Sequence, residues 1–146
     1  MEERVIIGKV AGYEAPPGSP EGTLRLADGS RFTLLRSDKR FDYWLGFLKD
    51  KQESGTPVYV QADPATGAVR RILVVLPKRI ESVGDAPEGD RLSVAILREP
   101  STYFLRTSRP EYGEWRDRLK AAQQAHAALP LVVEPETKEI LHVGKP

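Results

Sequence analysis

The sequence predicts an α+β protein built by tandem duplication of a β-β-β-α-β-β unit with pseudo-twofold symmetry. Three observations predict it. Residues recur in matched order at an offset of about 70 positions. Short β-branched runs alternate with polar residues between Gly, Pro and Asp punctuation. Each half also holds one segment whose apolar residues follow helical spacing. The matching stretches run from Pro20-Glu21-Gly22 to Ile72 and from Pro87-Glu88-Gly89 to Val143. Leu35-Arg36-Ser37 answers Leu105-Arg106-Thr107, Trp44 with Leu48-Lys49 answers Trp115 with Leu119-Lys120, and Asp63-Pro64-Ala65-Thr66 answers Glu134-Pro135-Glu136-Thr137. The first repeat is assigned residues 1–76 and the second 77–146, forming one compact unit that shares a bent strand around 69–83.

Val5 to Tyr13 reads as the first strand, and Ala15-Pro16-Pro17-Gly18-Ser19-Pro20 as a loop, because prolines remove backbone donors. Thr23 to Ala27 and Arg31 to Arg36 follow as strands. Asp28-Gly29 between them signals a hairpin turn with two left-handed residues. Ser37 or Asp38 can cap a helix over Arg40 to Glu53, with Phe41, Trp44, Leu45 and Leu48 on one face. Val58 to Ala62 is a strand, and Asp63 to Gly67 a compact turn. The unbroken apolar run Ile72-Leu73-Val74-Val75-Leu76 suggests a central strand buried on both faces, with Lys78 to Val83 continuing beyond Pro77. In the second half, Leu92 to Leu97 and Thr102 to Thr107 are strands. Ser108-Arg109-Pro110-Glu111 has the form of a capping box. The stripe Tyr112, Trp115, Leu119, Ala122, His126 and Leu129 predicts a helix that Pro130 ends. Leu131 to Val133 and Glu139 to Val143 close the chain as a hairpin. A helix between the third and fourth strands is an OB-like element order. The competing layout is one continuous antiparallel sheet with both helices packed on it.

Lys and Arg total 22 against 21 Asp and Glu, for a net charge of +1. Nothing in that balance asks for nucleic acid or an anionic membrane. The absence of cysteine removes disulfides, thiol nucleophiles and thiolate metal sites, and fits a cytoplasmic protein. No segment has the length and apolarity of a membrane span. His126 and His142 are the only histidines and lack the ligand company a metal site needs, so no metal or cofactor is expected. No phosphate loop, dinucleotide fingerprint or nucleophile elbow occurs.

Trp44 and Trp115 read as core anchors of their helices. Arg36 and Arg106, matched in the repeat, are the first choice for a binding pair, since two guanidinium groups suit a carboxylate or phosphate. The composition favours a non-enzymatic adaptor that acts through a protein partner, with strand addition at a free edge, or self-association, as its means. The alternative is single-stranded nucleic acid on OB-like barrels, through Phe32, Tyr103 and Phe104 with Arg31, Arg98 and Arg106 nearby. An enzyme with an unfamiliar carboxylate and arginine site is the third reading. Any asymmetry of function should lie in the Pro-rich loop at Ala15 to Pro20, the Asp28-Gly29 hairpin and the polar face of the second helix.

Overall fold

Alternating apolar residues give strands, and two helical stripes give helices, in the order that the sequence implies. The computed structural model describes residues 4–85 and 89–145. Pro87 and Glu88, where the second matching stretch starts, lie outside the described residues. The chain is α+β, and its described residues form eleven strands in three sheets and two helices. The first part holds β1 (Arg4–Gly8), β2 (Val10–Glu14), β3 (Glu21–Leu26), β4 (Arg31–Leu35), α1 (Phe41–Ser54), β5 (Val58–Ala62) and β6 (Val69–Val74). The second holds β7 (Leu76–Asp85), β8 (Arg91–Ile96), β9 (Thr102–Arg106), α2 (Tyr112–Ala125), β10 (Ala128–Val133) and β11 (Ile140–Val143). The chain divides into two compact units, Met1–Val75 and Leu76–Pro146. Between Val69 and Val83 it therefore forms two strands, β6 and β7, each paired within its own unit.

In the first unit only Lys9 separates β1 from β2, so one stretch of chain serves two sheets. β1 pairs with β5 and β5 with β6, while β2, β3 and β4 form a meander. The register slips between Val10 and Gly12, a bulge of the kind that bends a strand around a barrel corner. The Thr33 N–H donates to the Gly67 carbonyl at 2.9 Å, and a parallel bridge joins Thr33 to Ala68. The strand order thus closes on itself as in an OB-type barrel. Phe41, Trp44 and Leu48 of α1 cover the core with Leu24, Leu34 and Val60.

The second unit uses the same pairing order. β7 pairs with β10 through Leu76 to Arg79 and with β8 from Ile80 onward, with a slip between Ile80 and Ser82. β9 pairs with β8, and β11 with β10. The Phe104 N–H donates to the Lys138 carbonyl at 3.0 Å beside a parallel bridge to Glu139. Trp115, Leu119 and Ala122 of α2 pack on Leu92, Leu105 and Leu131.

Several local expectations change. The Asp28-Gly29 turn has only one left-handed residue, Gly29 at φ 92. Leu26 N–H reaches the Ser30 carbonyl, so the loop is three residues long and closes on its glycine. Glu111, not Ser108, precedes α2, and no side chain caps it. The chain leaving β9 first makes two tight turns, Arg109 N–H to Arg106 carbonyl and Tyr112 N–H to Arg109 carbonyl, which use up the supposed box. α2 stops at Ala125, not near Pro130. His126 takes φ 53 as a left-handed cap, with its N–H bonded to Ala122 and Gln123 carbonyls. Leu129 is buried on β10 rather than on the helix stripe. Both helices have 14 residues. β6 pairs along its length only with β5, and Arg70 is exposed within it, so it is not a central strand buried on both faces.

Candidate functional site

A strand with one face on the core turns its alternate residues outward. On the second unit's meander these are Arg91, Ser93 and Ala95 of β8, and Phe104 and Arg106 of β9. The register sets Ser93 opposite Phe104 and Arg91 opposite Arg106. The Phe104 ring is half-buried under two guanidinium groups, with Arg91 Cζ 4.4 Å and Arg106 Cζ 5.5 Å from its centroid. Both cations have carboxylate partners. Arg91 Nε bonds Asp90 Oδ1 at 3.1 Å, which holds the Asp90 carboxyl below the usual carboxylate range. Arg106 Nε lies 3.3 Å from Glu139 Oε1, whose other oxygen takes Arg109 Nη2 at 3.2 Å. An aromatic ring and flat guanidinium planes stacked on an open sheet face suit other planar groups.

On the first unit's meander a cleft of about 210 Å³ is lined by Gly12, Tyr13, Glu14, Thr23, Arg25 and Arg31. The register places Arg25 directly opposite Arg31, and Gly12 opposite Arg25.

The expected site residues scatter. Arg36 does not face this cleft. Its Nε donates to the Ser19 carbonyl at 2.6 Å and its Nη2 to the Pro16 carbonyl at 2.9 Å, while the group stacks 4.8 Å over Phe41. It clips the Pro-rich loop onto the meander. The pairing also separates Arg36 from Arg106. Gly22 faces Leu34 and Leu92 faces Leu105, which aligns Leu35 with Arg106 and Arg36 with Thr107. Arg36 N–H bonds the Pro20 carbonyl, as Thr107 N–H bonds that of Asp90. Phe32 turns inward and is buried, with Arg4 Cζ 4.7 Å above its ring. Arg31 lines the first cleft. Arg98 sits in a tight turn at φ 66, beside a shallow hollow shared with Lys78 and Glu99. Sequence reasoning does not single out Arg25, Gly12 or Arg91. The available signal is Arg25 alternating with Leu24 and Leu26, which marks it as outward.

Tyr103 is also buried rather than displayed. Its hydroxyl donates to Glu99 Oε1 at 2.6 Å, and Glu99 Oε2 pairs with Lys78 Nζ at 2.7 Å. Lys78 first, then the Tyr103 hydroxyl, hold the Glu99 carboxyl below the usual range. The Glu99 bond, then burial, push the Tyr103 phenol up to about 12. The unfolded chain loses this proton near the ordinary 10.0, so above that pH the folded state binds more protons than the unfolded one. The resulting stability is complete below pH 10 and falls as pH rises toward 12. Absorbance titration of the phenolates should therefore include a late step for Tyr103, and Tyr103→Phe should remove that step. A Tyr103→Phe protein that keeps the late step would contradict the assignment.

Among the described residues no group of three or more His, Asp or Glu side chains is placed to hold a metal ion, and no helix is long and apolar enough to cross a membrane. Comparison of the chain with models of protein families, with curated proteins and with solved structures finds no match.

Proposed function

We propose that the chain is a non-enzymatic binding module and that single-stranded nucleic acid docks on the outer face of β8 and β9. The observation that carries this reading is Phe104, with the Arg91 and Arg106 guanidinium groups over its ring on the meander of an OB-type barrel. Such faces hold single strands by stacking bases on aromatic rings. Because Arg91 and Arg106 already have carboxylate partners and the net charge is +1, stacking should contribute more than phosphate neutralisation, and salt dependence should be shallow.

The protein-partner reading rests on a free strand edge. The hairpin edge at β4 is engaged at Thr33 by Gly67 and Ala68, which limits strand addition there. Fluorescence anisotropy with a labelled oligothymidine at low salt separates the two readings. Phe104→Ala should weaken binding by about 5- to 100-fold, the range of one lost base stack. The Phe104 backbone bond to Lys138 does not need the ring, so circular dichroism should be unchanged. No binding at micromolar protein, or equal affinity in Phe104→Ala, would remove the nucleic-acid reading.

A further inference from the structure

We propose that the cleft on the first unit's meander is an anion site that takes a phosphate group. Arg25 and Arg31 stand directly opposite each other on its outward face, and both are exposed. Among the described residues neither has a carboxylate within 4.0 Å. Like charges directly opposite on a sheet destabilise it, and an anion between them would reverse the sign of that interaction.

Gly12 is a second, independent observation. A Cβ built there would lie 2.8 Å from Arg25 Nη2, so the tip of the guanidinium reaches over β2 where the side chain is missing. Gly12 is not among the residues with positive φ, and its backbone does not require glycine. Glycine weakens a strand interior and marks a place of close approach, and the slip between Val10 and Gly12 re-aims the strand at this point. The cleft's volume, about 210 Å³, is small for a whole drug-sized ligand and suits a headgroup. Two guanidinium forks and the Thr23 hydroxyl are donors for a tetrahedral oxyanion with several acceptor oxygens. Glu14 lines the same cleft and opposes the anion. The donors and Glu14 together leave one net positive charge, which matches a singly charged phosphate.

The phosphate could belong to a polynucleotide backbone or to a small phosphate ester, and the chemistry at the cleft is the same. Calorimetric titration of the full chain at low chloride, with inorganic phosphate, a nucleoside monophosphate and oligothymidine in turn, tests the site. Saturable phosphate binding is expected below about 10 mM. Arg25→Gln and Arg31→Gln should each weaken it about tenfold or more, and Glu14→Gln should tighten it. Gly12→Ala meets only the far end of a flexible side chain, so it should keep its urea midpoint while losing phosphate affinity. Competition of oligothymidine for phosphate supports a polynucleotide source, and stronger binding of the monophosphate supports a small ester. No saturable binding in the wild type, or binding that Gly12→Ala and Arg25→Gln leave unchanged, overturns the proposal. Phe104→Ala keeps the two sites apart. If it abolishes oligothymidine binding while phosphate never binds, the first-unit site fails and the second-unit reading stands. If phosphate binds and Phe104→Ala leaves oligothymidine affinity unchanged, the first-unit site stands and the second-unit reading fails.

Discussion

Trp44→Ala should cost the first unit about 3–5 kcal/mol, the range for deleting a large buried aromatic. Trp44 is 2% exposed and packs with Phe41 and Leu48 from its own helix against the strand core. Arg40 covers the ring's outer side with its Cζ at 4.9 Å. The void cannot be refilled from one side, because the surrounding strands are tied by ladder bonds and by the Thr33 closure. A whole domain holds only about 5–15 kcal/mol of net stability, and a unit this small has a limited core. Urea unfolding should therefore show a large drop in midpoint, and hydrogen exchange should show lost protection in peptides from 41–75. A midpoint near that of the wild type would mean that the helix is anchored elsewhere. Trp115 is 6% exposed and meets His142 edge-on at 5.7 Å between ring centroids, so it does the same work in its own unit.

Gly22→Ala should destabilise by about 1–3 kcal/mol, the cost of forcing atoms into a packed interior. Its new Cβ would sit 2.6 Å from the Glu14 carbonyl oxygen and 3.6 Å from the Ala15 Cα. Neither is a flexible tip. Glu14 is held opposite Thr23 in the β2–β3 ladder, so relief means moving one strand against another. At the same register position in the second unit stands Leu92, which is buried. The position itself therefore accepts a large side chain. The restriction in the first unit comes from the chain that turns from β2 into the Pro-rich loop, which Arg36 then clips in place. A denaturation curve for Gly22→Ala that overlays the wild type would refute this. The contrast with Gly12 is informative: one added methyl meets backbone, the other a movable guanidinium, and the outcomes should differ accordingly.

How legible these features are in the sequence depends on how local their causes are. The helix faces carrying Phe41, Trp44, Leu48 and Trp115, Leu119, Ala122 follow from spacing alone. The end of α2 does not, because its left-handed cap is His126 rather than glycine, and a non-glycine residue at φ 53 sends no compositional signal. Lys138 at φ 68 closes its turn as Gly67 does at φ 74, and is equally silent. A left-handed residue with a side chain costs about 1–2 kcal/mol, which the surrounding structure must supply. The Arg36 and Arg106 pairing illustrates a different limit. Matching Leu-Arg by identity slides the alignment one residue away from the ladder, and in a strand one residue exchanges the two faces. Phe32 and Phe104 show the same point: both are strand aromatics within two residues of an arginine, Arg31 and Arg106 respectively, yet one is core and the other lies on the outer face.

By itself the sequence determined the α+β class, the order of strands and helices, the two tryptophan anchors and the lack of cysteine. These depend on periodicity, punctuation and composition, which act over a few residues. Only the tertiary structure decided which side of each strand meets the core, that Arg25 stands across from Arg31 over Gly12, and that Arg91 and Arg106 frame Phe104. Those juxtapositions follow from ladder register and from closure of β4 on the start of β6, and of β9 on the start of β11. Such contacts join residues far apart in the chain, so no local pattern encodes them.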